Sequence, residues 1–262
     1  MKFNKIALSI TLFCFSPLLL AAPAPIVVSS LDQGANTEQS FAIGIVSSIA
    51  KRPFVGVDDQ NASLLYLSYR YEDFFIEGLD LGYKLNDNKK YNISVLATPR
   101  FYEVEPGFAE NGELDGIDKT SPTYMAGLSL QTKFSGITTT FQALHDVIES
   151  DGNELLIQAS KLFKTNKTIS LTPSIGITYQ DAELVDHFYG VQAHEVRVGR
   201  AIYKGKASVN YNVSLHAKWV ATKHIEFIGQ IRYEVLGDGI TKSSIVDEDT
   251  INSLSLGMLY RF

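Results

Sequence analysis

The chain closes on a strict two-residue rhythm. In the segment 253–262, Leu254, Leu256, Met258, Tyr260 and Phe262 fall on one face of an extended strand, and Ser253, Ser255, Gly257 and Arg261 on the other. Side chains alternate across a strand, so this segment has an apolar face and a polar one. An apolar face ending in an aromatic at the carboxyl terminus suggests the closing strand of a membrane barrel, with the edge strand of a soluble sandwich as the alternative.

The same rhythm recurs upstream. In 209–219, Val209, Tyr211, Val213, Leu215, Ala217 and Trp219 alternate with Asn210, Asn212, Ser214, His216 and Lys218. In 225–235, Ile225, Phe227, Gly229, Ile231, Tyr233 and Val235 alternate with Glu226, Ile228, Gln230, Arg232 and Glu234, and 169–179 repeats the pattern. Looser versions span 41–50, 62–71, 75–86, 91–102, 124–134, 136–148, 154–163 and 193–203. That predicts twelve strands in a closed antiparallel transmembrane β-barrel over 41–262, with ten as the alternative count. Soluble strands average about five or six residues, and tilted membrane strands need about 9 to 11. Several of these segments run to membrane length. Tyr69, Tyr71, Phe74, Phe75, Phe101, Tyr102, Tyr203, Tyr233 and Tyr260 cluster near strand ends, where a girdle meets the lipid–water boundary. With twelve strands in these positions, 51–61 and 236–252 become outer loops. The long segments 103–123 and 181–192 then fall on the periplasmic side, where turns are normally short.

Lys2 and Lys5, an apolar run from Ile6 to Leu20, and Ala21-Ala22 read as a secretory signal over 1–21, cleaved between 21 and 24. Residues 22–40 then form a periplasmic amino-terminal segment. The one cysteine, Cys14, lies inside the signal, so the exported chain has no thiol chemistry. Formal charge is −6, about −8 after export, and there is no basic run of the kind that binds nucleic acid.

Chemistry has few footholds. His145 beside Asp146, His194 beside Glu195, and His216 are the candidates for a lumenal hydrolase, but no Gly-x-Ser-x-Gly elbow accompanies them. No metal-ligand spacing is present, and Asp247-Glu248-Asp249 reads as a solvated loop. No catalytic residue, metal site or cofactor is assigned. Alternation places Arg70, Asp80, Lys84, Arg100, Lys218, Glu226, Arg232, Glu234 and Arg261 on the lumen side. Charges there must be paired or wet, so they form either a paired plug or the lining of a narrow pore.

Three stretches carry a family resemblance. They are Tyr71-Glu72-Asp73-Phe74-Phe75 with Gly78 and Leu81-Gly82-Tyr83; His187-Phe188-Tyr189-Gly190-Val191; and Glu234-Val235-Leu236-Gly237-Asp238 with Ser243-Ser244-Ile245-Val246, followed by the closing strand. Together they resemble the MipA/OmpV family, the MltA-interacting proteins. The usual Ser-Pro-Ile of that family is Ser243-Ser244-Ile245 here, which implies a less rigid loop. The resemblance implies an outer-membrane barrel of a Gram-negative bacterium, inserted by the barrel-assembly machinery with Phe262 as assembly signal and surrounded by lipid and lipopolysaccharide. It also implies a non-enzymatic scaffold for a murein transglycosylase and a murein polymerase, docked through 103–123 and 181–192, with Phe188, Tyr189, Gly190 and Val191 as a family loop. A narrow pore or small-solute binding barrel is the alternative function.

Overall fold

A computed structural model describes residues 39–88 and 90–262. The signal, Cys14 and most of the 22–40 segment lie outside the described residues. Twelve strands form one antiparallel sheet: β1 Gln39–Ala50, β2 Gln60–Tyr71, β3 Phe74–Gly78, β4 Asp80–Asp87, β5 Tyr91–Arg100 and β6 Thr123–Phe134. The rest are β7 Ile137–Asp146, β8 Asn153–Lys161, β9 Ile169–Gln180, β10 Ser208–Val220, β11 Ile225–Val235 and β12 Thr250–Arg261. Phe163–Lys164 continues β8 past Leu162 along β9. Each strand pairs with its sequence neighbour, and β12 pairs with β1 from Ala42↔Arg261 to Ala50↔Ser253. That last ladder closes the barrel, leaving the sheet without a free outer edge. No helix among the described residues is long and apolar enough to cross a membrane, so crossing falls to the strands.

The outer surface is apolar. Ile45, Leu65, Leu128, Ile157, Ile175, Val213, Ile231 and Leu256 are exposed in register around the wall. The alternate positions on the same strands, such as Ser94, Ser129, Gln158, Thr178, Asn210 and Gln230, are buried. A water-soluble sheet would place these two sets the other way round, so the outward face is built for lipid. Exposed aromatics ring one end at Tyr71, Phe74, Tyr91, Phe134, Phe163, Trp219, Tyr260 and Phe262.

The count of twelve arises from different elements than alternation suggested. The predicted strand 75–86 is two strands. Glu77↔Asp80 closes a two-residue turn at Gly78-Leu79, with Gly78 at φ 66°, which hairpin turns favour for glycine. The predicted strand 193–203 is no strand. Ala193–Glu195 makes one 3-10 turn, and Arg197 pairs with Arg200 in a tight loop. Splitting one strand and losing the other reverses the direction of everything between them. The connections 51–59, 101–122, 147–152, 181–207 and 236–249 therefore share one end. The turns at 72–73, 88–90, 135–136, 165–168 and 221–224 share the other, beside Gln39 and Phe262. Segments 103–123 and 181–192 are thus at the long-loop end, not among the short turns. In outer-membrane barrels short turns face the periplasm and long loops face outward.

Candidate functional site: a capped lumen

The long connections do not splay into solvent; they build the larger of the two apolar cores among the described residues. Phe54, Leu114, Ile117, Leu184, Val185, Phe188, Tyr189, Val191, Ile240 and Ile245 form one buried cluster with Met125 and Leu144 of the wall. The helix α1, Ala182–Tyr189, supplies four of these side chains from one face. Asp181 caps it by accepting from the Leu184 N–H at 3.0 Å, which satisfies an otherwise orphaned donor. Phe188 is 1% exposed and meets Tyr102 edge-on at 5.6 Å, and Tyr189 stacks on Phe54 at 5.6 Å. The stretch expected as a loop at Phe188, Tyr189, Gly190 and Val191 is the last turn of α1, its C-cap and the residue after it, and Phe188, Tyr189 and Val191 lie in the core of the cap.

Polar ties join the loops. Arg200 donates to the carbonyls of Glu195, Glu113 and Asp115 at 2.8, 3.1 and 2.8 Å. Burial and the neighbouring Arg197 lower its pKa from the usual arginine value. The Tyr203 hydroxyl donates to the Gly239 carbonyl at 2.7 Å, just inside the short helix α2, Asp238–Thr241. Ser244 donates to the Ala201 carbonyl at 2.7 Å, tying the connection after β11 to the one after β9.

Beneath the cap lies a floor of charge. Arg100 and Glu154 meet at 2.6 Å with side chains 8% and 1% exposed. The Tyr102 hydroxyl adds a hydrogen bond to Glu154 at 2.8 Å. Arg52 pairs with Glu103 at 2.8 Å, and Arg232 with Glu234 at 3.0 Å. Burial outweighs the attraction of Arg52 and raises the Glu103 pKa. Burial, reinforced by nearby carboxylates, also raises Tyr102 and Tyr189 above the usual phenol value. Between floor and cap remains a cavity of about 80 Å³, lined by Arg52, Phe54, Tyr102, Tyr189, Asn210 and Leu236 among others.

Further down, Glu226 accepts from Arg261 at 2.9 Å and lies 3.5 Å from Lys218. Arg70 reaches Glu77 at 3.3 Å, Lys84 reaches Asp87 at 2.6 Å, and Asp80 sits opposite Glu77 at the mid-wall turn. Lys218, Glu226 and Arg261 are thus brought together, as are Arg232 and Glu234. Arg70, Lys84 and Arg100 take acids that alternation alone had not nominated: Glu77, Asp87 and Glu154. Glu154 carried a readable signal, an acid alternating with Leu155 and Ile157 on a strand. Arg52 and Glu103 stand in irregular loops and carried none. Phe75 is no girdle residue: its ring faces inward over Gly82 and fills the space a Cβ there would take. Phe101, Tyr102 and Tyr203 likewise belong to the cap region, not to a lipid boundary.

The three candidate histidines occupy separate places. His145 is on the outward face, 3.2 Å from Asn153 Oδ1. His216 is on the inward face of β10, and His194 is in the cap, 2.9 Å from Asp118 Oδ2. Asp118, His194 and Glu195 do come within 4.8 Å of one another. The two Glu195 oxygens, however, accept from the backbone N–H groups of Asp118 and Gln192, so that carboxylate holds two loops together.

Known proteins are similar to this chain over most of its length. The MltA-interacting protein of Escherichia coli strain K12 is 26% identical over 234 residues, covering 87% of this chain and 92% of its own. YiaT of the same strain is 26% identical over 228 residues, covering 86% and 92%. The outer membrane protein OmpV of Vibrio cholerae is 24% identical over 193 residues, covering 72% and 74%. This closed barrel is an outer-membrane protein of a Gram-negative bacterium. The family model described as MltA-interacting protein MipA matches residues 43–262, and the chain belongs to that family.

Proposed function

We propose that the protein is a non-enzymatic scaffold that holds murein-processing enzymes, a transglycosylase and a murein polymerase, at the inner face of the outer membrane. What supports this reading is the apolar cap packed over paired Arg100–Glu154 and Arg232–Glu234, an arrangement that suits an anchor better than a conduit. The name of the relative, MltA-interacting protein, supports the transglycosylase as partner. Docking then falls to the short-turn end, because 103–123 and 181–192 are built into the outer cap. A pull-down tests it, with the detergent-solubilised barrel as bait and purified murein transglycosylase as prey. Retention is the expected result; recovery of no enzyme, either purified or from envelope extract, overturns the proposal.

The cavity of about 80 Å³ favours a second reading, a barrel that binds a small solute under its cap. Solute-dependent protection of the cap loops from protease would support it.

A further inference from the structure

Charge is distributed unevenly between the two ends. Acidic side chains outnumber basic ones in the long loops, where Lys51, Lys119 and Lys242 pair with Glu248, Glu105 and Asp238. The short-turn rim is different. Lys90, Lys133, Lys161, Lys164, Lys167 and Lys223 are all exposed there, and no ion pair joins them to an acid among the described residues. They run as an arc over adjacent turns from β5 to β11. The Lys133 N–H donates to the Lys90 carbonyl at 3.0 Å, Lys164 pairs with Ser170, and Lys223 lies in the β10–β11 turn.

Register says where they point. Lys90, Lys133 and Lys164 each stand beside an exposed aromatic, Tyr91, Phe134 and Phe163, that faces lipid. Alternation turns Lys133 and Lys164 toward the lumen mouth, away from phospholipid headgroups, whereas Lys161 lies on the outward face with Nζ 5.3 Å from the centre of the Phe163 ring and Lys90 sits in the turn before β5. Six like charges along this arc repel one another, with the exposed turn acids Glu72 and Asp73 beyond one end of it, and a polyanion lying along the arc would relieve that repulsion. We propose that this arc is a docking surface for the carboxylates of the murein layer, so that the scaffold grips the polymer as well as its enzymes. The proposal rests on the reading above that the short-turn end faces murein. Multiple lysine–carboxylate contacts, each weak at an exposed surface, gain strength from repetition along a polymer.

The test is co-sedimentation of the full barrel, in zwitterionic detergent, with purified murein sacculi. Three partners are compared: the wild type; a variant with all six lysines changed to Gln; and a control with Lys204→Gln and Lys206→Gln at the other end. Heat-modifiable migration confirms that each is folded. Wild type and control should pellet at low salt and be released at high salt, while the six-lysine variant stays in the supernatant. Sacculi whose carboxylates have been amidated should retain none of the three. Equal pelleting of the six-lysine variant, retention by amidated sacculi, or no pelleting of wild type overturns the proposal. So does a loss seen only with phosphatidylglycerol vesicles, which would assign the arc to lipid. The pull-down arm with purified transglycosylase contains no murein, so the two readings fail independently.

Discussion

Arg100 and Glu154 meet in the barrel interior with Nη2 and Nε at 2.6 and 3.1 Å from one carboxylate oxygen, although 54 residues separate them in sequence. Both are buried, and Gln180 and Tyr102 crowd the same carboxylate. Removing one partner of such a pair leaves an uncompensated charge and costs about 3–5 kcal/mol, whereas replacing both by apolar groups is often close to neutral. Glu154→Ala is therefore expected to lower the urea midpoint of the refolded barrel strongly, and Arg100→Met with Glu154→Leu much less. Equal losses in the two would show that the pair is not what holds the floor.

The cap has its own core and should fail on its own. Phe188→Ala empties a site that is 1% exposed, a change worth about 3–5 kcal/mol in a packed core. The strand ladders do not include Phe188. Limited proteolysis should cut the variant in 101–122 and 181–207, while heat-modifiable migration of the barrel persists. Resistance equal to wild type would contradict the cap as a packed unit.

Tyr102 and Tyr189 make cap stability depend on alkaline pH. Burial raises both phenols above their ordinary value, which in an unfolded chain is about 10. Below that pH neither state is ionised, and their contribution is fully present. As pH rises above it the unfolded chain releases protons that the folded one keeps, so stability is lost. Tyr102→Phe and Tyr189→Phe should each remove one late-titrating phenol from the tyrosinate absorbance, and Tyr189→Phe should flatten the loss of stability above pH 10. An unchanged alkaline slope in that variant would contradict the assignment.

Phe262 packs its ring 5.0 Å from both Phe41 and Tyr260, at the seam where β12 meets β1. Deleting it should leave synthesis intact and reduce the heat-modifiable, outer-membrane-inserted fraction. Normal insertion of the truncated chain would remove Phe262 as an assembly signal.

Much of the wall was readable because lipid and lumen impose opposite demands on alternate residues. Tyr211, Val213 and Trp219 against Asn210, Asn212 and Lys218 leave little freedom. The 75–86 segment misled because apolar residues continue through it, yet it carried a parity clue. Ile76 faces out at an even position and Leu81, Tyr83 and Leu85 at odd ones, which one unbroken strand cannot do. The 193–203 segment misled in the opposite way. Val196, Val198 and Ile202 alternate like a strand but belong to a loop whose form comes from Arg200 and the Glu195 capping contacts. The cap itself had no periodicity to read. Its core joins Phe54, Leu114, Phe188 and Ile245 from four separate connections, and only the closed barrel brings those connections to one mouth.

The account turns on an occluded lumen, and conductance across a planar bilayer measures that directly. Purified protein reconstituted at either polarity should give no discrete steps in salt. Reproducible single-channel steps from the wild type would contradict the account and return the barrel to the pore class.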